Sequence, residues 1–251
     1  MQTKDEALAI LLRSFKLATM ANLISETLLT AEKKNWSHRE MLLHLCECEA
    51  QERSTKLTQR LLKLSCLPVG KTIDTLQEAF LSEKIRRQLP SLLEGNFIER
   101  HENILAFGLP GRGKTHFLAA LGRELILRQN RRVFFISTFK LIGRLLTAKK
   151  EGCLEAALKK FDFFDVIILD DIGYVKQSRD EMDVFFMFLA ERYERTSIMI
   201  TSNLVFSQWD QIFNDPMTTM AAIDRLVHHC TILEFNGESL RSKAAKEKIK
   251  E

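Results

Sequence analysis

The run Gly108-Leu109-Pro110-Gly111-Arg112-Gly113-Lys114-Thr115 constrains the fold more than any other feature of the chain. It matches G-x-x-x-x-G-K-[ST], and the match has its context: the apolar residues Ile104–Phe107 precede it, and a helical pattern from Phe117 to Leu121 follows. A glycine-rich turn between a strand and a helix brings backbone N–H groups onto one point, where the helix N-terminus adds positive partial charge. Phosphate binds such a point. Lys114 is placed to reach the β- and γ-phosphates of a nucleoside triphosphate, and the Thr115 hydroxyl to ligate Mg²⁺. ATP and Mg²⁺ are therefore the expected cofactors.

Around this loop, short apolar runs alternate with longer helical patterns. The expected strands are Asn103–Phe107, Arg132–Ser137, Val166–Leu169, Ser197–Thr201 and Cys230–Phe235. The expected helices are Lys114–Gln129, Phe139–Lys149, Asp180–Arg195, Ser207–Phe213 and Thr219–His228. Such alternation implies an α/β fold, a parallel sheet sandwiched by helices. Ahead of it, the first 66 residues read as helix throughout. Leu8, Leu11, Leu12 and Phe15 recur at three- and four-residue steps, and Ser37 with Glu40 fits a capping box with Trp36 as its staple residue. The expected division is a small all-α N-terminal domain, 1–67, and a P-loop domain, 68–251. The latter includes a connector over 68–100, broken at Pro90 and near Gly95, and a basic tail over 238–251.

A second chemical signal is Val166-Ile167-Ile168-Leu169-Asp170-Asp171, an apolar strand ending in two carboxylates. Ligands of parallel sheets bind outside the carboxyl ends of the strands. Asp170 is then placed to hold Mg²⁺ and Asp171 to polarise an attacking water; the alternative is a solvated turn before Gly173. The strand Ser197–Thr201 leads to Asn203, which either orients water near the γ-phosphate or simply begins a turn.

The net charge of +4 permits a polyanionic partner without demanding one. Arg53, Lys56, Arg60 and Lys63 recur at steps of three and four and would line one helix face, fit for duplex phosphates or for solvent beside Glu49 and Glu52. Five cysteines without a C-x-x-C pair point to reduced thiols in a cytoplasmic protein. The first residues do not read as a signal peptide, and no apolar run is long enough to span a membrane. His228-His229 invites a metal reading, but neighbours on a helix point apart and the sequence shows no third ligand. Packing or surface roles are expected there.

The chain resembles the IstB-like family, the ATP-binding transposition helpers encoded beside the transposase in certain bacterial insertion sequences. That family is related to helicase loaders and belongs to the AAA+ ATPases. The resemblance rests on Glu49–Arg53 with Pro68, Gly108–His116, Leu169–Tyr174, Glu191–Ser197 and Thr201–Leu204. It continues through Ser207–Trp209, Asp224–Leu226 with His228-His229, and Gly237–Arg241. It implies that His116 belongs to the nucleotide site, that Asn203 is a sensor-1 residue, and that Arg225 is an arginine finger reaching the ATP of a neighbouring subunit. Arg241 stands where the family has a second sensing arginine. Two positions depart from the family: Asp171 stands where Glu is common, and Leu240 where an aromatic is usual. A carboxylate one methylene shorter implies looser water positioning and slow turnover.

The resemblance further implies double-stranded DNA, a cognate transposase and further copies of the chain as partners, in a nucleoid-associated ATPase. The rival expectations are a replicative-helicase loader and an ATP-binding scaffold with little turnover.

Overall fold

A computed structural model describes residues 2–76, 81–172, 178–204, 208–209 and 226–236. The chain divides into two compact units, Met1–Arg60 and Leu61–Glu251. They meet inside a helix, whereas the sequence reading set a boundary at 67.

The first unit contains α1 (Gln2–Ser14), α2 (Ala18–Lys34) and most of α3 (His38–Leu64). The helical pattern that the sequence carries through Phe15 is corrected there: α1 stops before Lys16, whose φ of 61° no α-helix accommodates. The α2 N-terminus has no cap from its own N-cap residue, Leu17. Glu49 of α3 caps it instead, its Oε2 accepting from the Thr19 and Met20 amides at 2.8 and 3.1 Å. Arg53, one turn along, donates to Glu49 Oε1 at 2.8 Å and to the Lys16 carbonyl at 2.5 Å. Burial pushes the Glu49 carboxyl up. The Met20 amide, Arg53 and the Thr19 amide outweigh it and hold the group below its ordinary value. The expected capping box forms at the start of α3: Glu40 N donates to Ser37 Oγ at 3.2 Å, and Ser37 N to Glu40 Oε2 at 2.7 Å. Trp36 lies edge-on to His44, ring centroids 5.3 Å apart.

The second unit is built on five parallel strands, β1 (Asn103–Phe107), β2 (Val133–Ser137), β3 (Val166–Ile172), β4 (Ser197–Ser202) and β5 (Cys230–Glu234). Their order is β2-β3-β4-β1-β5. Side chains alternate across the sheet with period two. Ile104, Ala106, Ile168 and Met199 face a core with Phe117, Leu121 and Leu125 of α6 (Lys114–Gln129). Leu105, Ile167, Leu169 and Ile200 face the other, with Leu141 and Leu145 of α7 (Thr138–Lys150) and Phe185 and Phe188 of α9 (Arg179–Arg192). The short helix α8 (Leu154–Lys159) joins α7 to β3. Gly122 lets α6 lie close on the sheet: a Cβ there would sit 2.8 Å from Ile168 Cδ1.

In the connector, α4 (Glu83–Leu93) runs through Pro90, so the expected break there is corrected. Proline removes one N–H and the helix continues to Leu93; Gly95, at φ 69°, then turns the chain into the short α5 (Asn96–Glu99). The expected helices Ser207–Phe213 and Thr219–His228 fall almost wholly outside the described residues.

Candidate nucleotide site

The strand order decides what meets. β1, β4 and β3 are neighbours, so the loop after β1, the acids closing β3 and the residues after β4 converge at the carboxyl edge of the sheet. A cleft of about 410 Å³ opens there, between Gly111–His116 on one side and Asp170, Asp171, Thr201 and Asn203 on the other.

Gly108, Gly111 and Gly113 of the loop have φ of 144°, 81° and 87°, values that L side chains rarely adopt. At Gly108 sterics add to this, because a Cβ would sit 2.3 Å from the Phe235 carbonyl oxygen. Arg112 donates to that same oxygen at 3.1 Å and ties the loop to the end of β5. Leu109 is exposed and Pro110 lines the cleft. Lys114 is buried, and a buried ammonium requires acceptors. It donates to the Gly108 and Leu109 carbonyls at 2.6 and 3.1 Å and to Asn203 Oδ1 at 2.7 Å.

The two acids do not simply end a strand. The β3–β4 register runs Leu169↔Ile200 and then Ile172↔Ser202, so Asp170 and Asp171 together face Thr201. This is a β-bulge, with Asp171 at φ 64°. Thr201 holds it, its hydroxyl donating to Asp170 Oδ1 at 2.8 Å and accepting from the Asp171 amide at 2.7 Å. Thr138 donates to the Asp170 carbonyl at 3.1 Å. Asp170 Oδ2 has no protein partner among the described residues. Asp171 is exposed, and its Oδ1 accepts from Asn203 Nδ2 at 3.0 Å.

This donor set fits a nucleoside triphosphate with Mg²⁺. Backbone N–H groups, the helix start and Lys114 suit phosphate, while the Thr115 hydroxyl and the Asp170 carboxylate are the hard oxygen ligands that Mg²⁺ takes. Asp171 and Asn203 stand side by side on the wall of the same cleft.

His116 lines the cleft, but its Nε2 is occupied by the connector, 3.1 Å from both Thr75 Oγ1 and the Thr72 carbonyl. That contact brings Lys71 to the cleft wall. Sequence reasoning missed Lys71, Thr138 and the role of Thr201. Only for Thr201 was there a signal, a hydroxyl closing an otherwise apolar strand two residues before Asn203. Arg225 and Arg241 lie outside the described residues. The four basic residues of α3 are all exposed but not equivalent: Arg53 and Lys56 pair with Glu49 and Glu52, whereas Arg60 and Lys63 form no ion pair among the described residues.

Comparison with known proteins agrees with this geometry. The family described as IstB-like ATP binding protein matches residues 10–248. The chain belongs to that family. An insertion-sequence ATP-binding protein of Sinorhizobium fredii is 40% identical over 247 residues, covering 98% of this chain and 83% of that one. The IS21 ATP-binding protein of Pseudomonas aeruginosa is 37% identical over 239 residues, covering 94% and 89%. Among solved structures, the DnaC helicase loader matches with a TM-score of 0.54 at 21% identity, over 67% of this chain and 98% of that one. AMPPCP-bound DnaA from Aquifex aeolicus matches with a TM-score of 0.55 at 22% identity, over 74% and 56%. This IstB-like chain therefore has the AAA+ fold, with its P-loop on β1 and its paired acids on β3. No helix among the described residues is long and apolar enough to cross a membrane.

Proposed function

We propose that this IstB-like chain is an ATPase that assembles on double-stranded DNA and delivers target DNA to a partner transposase, stimulating it. The convergence of Lys114, Asp170, Asp171 and Asn203 on one cleft carries the ATPase part of the reading. In it Thr115 and Asp170 would hold Mg²⁺, which would supply charge neutralisation at the phosphates. Lys114 exchanges its carbonyl partners for phosphate oxygens, and Asp171 accepts a proton from the attacking water. Asn203 fixes that water, and Arg225 of a neighbouring copy supplies positive charge to the transition state, so hydrolysis requires assembly. Arg241 is assigned to sensing the nucleotide. The insertion-sequence relatives support the transposase as partner. DNA contact is assigned to α3, with Arg60 and Lys63 as its cations outside ion pairs and the paired Arg53 and Lys56 as flanking ones.

The test is a strand-transfer reaction with the cognate transposase, ATP and a duplex target. Products rise when this chain is added and fall to the transposase-only level with Lys114→Ala. Equal product with and without the chain, where it still binds ATP, contradicts the helper role. Stable capture of a replicative helicase in its place would support the loader reading.

A further inference from the structure

At the opposite edge of the sheet, a second group of residues is left unused by ATP chemistry. His228 and His229 do not continue a helix. They occupy a turn after the helical residues Leu226 and Val227, directly ahead of β5. The premise that they diverge as helix neighbours is corrected: their ring centroids lie 4.2 Å apart, in a T-shaped arrangement. The third ligand missing from the sequence reading is Glu194, in the turn between α9 and β4, thirty-odd residues away in the chain. One ligand atom from each of the three lies within 4.8 Å of the others.

We propose that Glu194, His228 and His229 form a binding site for a divalent late first-row ion of the Zn²⁺ class. Two imidazoles and one carboxylate are the donor set that such ions prefer over Mg²⁺ or Ca²⁺. Three protein ligands leave a position for water. A tetrahedral ion with bonds of about 2.0 Å needs donors about 3.3 Å apart. All three side chains are exposed, so closing from 4.8 Å to that spacing would ask for rotamer changes only.

Both turns are held by their own backbone, so binding does not depend on reshaping the fold. Arg195 N and Thr196 N each donate to the Arg192 carbonyl at 3.1 Å, which fixes the Glu194 turn. Asn103 fixes the histidine turn: its amide N–H donates to the His229 carbonyl at 2.7 Å and its Nδ2 to the Leu226 carbonyl at 3.1 Å. Its Oδ1 accepts from Ile198 N of β4 at 2.9 Å, so one buried asparagine links both segments. The Tyr193 hydroxyl lies 3.4 Å from His228 Nδ1, an outer partner that orients this ring. The Glu102 carboxylate is within electrostatic reach of His229 and adds negative charge. Asn103 begins β1 and Phe107 ends it at the P-loop, so the length of the strand, about 13 Å at about 3.3 Å per residue step, separates the site from the nucleotide cleft. An ion there ties the α9–β4 turn to the chain immediately after Arg225.

The test uses the full, tag-free chain stripped of metal and titrated with Co²⁺, read by its visible d–d absorption, followed by displacement with Zn²⁺. One ion per chain is expected. Affinity should fall at least about 10-fold in His228→Ala, His229→Ala and Glu194→Gln, while metal-free thermal unfolding and ATP binding stay as in the parent. His44→Ala is the control, because His44 Nε2 and Cys48 Sγ form a separate 3.7 Å pair on α3. Retention of binding in that variant supports the site. No binding, binding unchanged by the three variants, or binding lost in His44→Ala overturns it.

Discussion

Asn203 and Lys114 are bonded directly, with the ammonium donating to the amide oxygen at 2.7 Å. Because Asn203 turns its nitrogen to Asp171 at 3.0 Å, one amide joins the phosphate-loop cation to the acid assigned to water activation. The two partners also fix which end of the amide is oxygen, since an ammonium only donates and a carboxylate only accepts. The amide of Asn203 is thus anchored at both ends, by the Lys114 ammonium and by the Asp171 carboxylate.

Asn203→Ala should leave ATP binding within a few-fold and lower the hydrolysis step about 10²-fold, the typical loss of one preorganised donor. Single-turnover phosphate release alongside nucleotide-binding fluorescence separates the two. A matching loss in both would make Asn203 a binding residue only.

Asp171 occupies the left-handed region, which asparagine tolerates well. Asp171→Asn should thus keep its melting temperature and nucleotide binding while hydrolysis drops about 10²–10⁴-fold, the range for a lost general base. Asp171→Glu brings the carboxylate one methylene nearer the water and should speed turnover. Thermal unfolding and steady-state phosphate release check both; undiminished hydrolysis in Asp171→Asn would show that another group serves as base.

The Glu49 carboxyl is held below its unfolded value, so its contribution is fully present above the unfolded pKa of about 4.3 and is lost as pH falls through the lower, folded value. Unfolding followed between about pH 3 and 7 should show Glu49→Gln less stable than the parent at neutral pH, with the gap closing in acid. Glu49→Ala should cost ~1–2 kcal/mol, as the loss of a helix cap does. A gap that is constant with pH would remove the charge from the explanation.

Arg53→Ala should destabilise the N-terminal unit, because Arg53 grips Glu49 and the Lys16 carbonyl. Arg60→Ala and Lys63→Ala should leave stability unchanged and each reduce the slope of log binding constant against log salt by about 0.9 on duplex DNA. Fluorescence anisotropy over a salt series measures the slope. Slopes identical to the parent would take α3 out of the DNA contact.

Trp209 is fully buried, edge-on to Phe107, and donates to the Leu204 carbonyl at 3.2 Å. Trp209→Ala should cost ~3–5 kcal/mol in chemical denaturation. It should also weaken turnover, because the residue underpins the segment that follows Asn203. A cost below about 1 kcal/mol would show that the site does not rest on it.

What could be read in the sequence was what local pattern determines. The P-loop announces itself by glycines at fixed offsets, and α6 has the expected bounds because Gly113 and Asn130, both with positive φ, bracket a single helical pattern. The strands were legible as buried apolar runs. β3 extends past its expected end at Leu169 because Thr201, distant in sequence, satisfies the bulged acids that interrupt the run. The break before α2 was hidden for a similar reason: its cap, Glu49, comes from another helix. Lys71 reaches the cleft only through the His116 contact with Thr72 and Thr75, which no periodicity encodes. Pro90 misled in the other direction, since a strong local signal was overridden by Ile85, Leu89 and Leu92 packing one face of α4 into the core.

The most direct test of the central claim is steady-state phosphate release from Mg²⁺-ATP, with and without duplex DNA, for the parent chain and Lys114→Ala. The account predicts that duplex DNA raises the parent's rate and that Lys114→Ala abolishes release under both conditions. A parent chain that binds ATP yet neither hydrolyses it nor responds to DNA would contradict the account and leave a nucleotide-bound scaffold in its place.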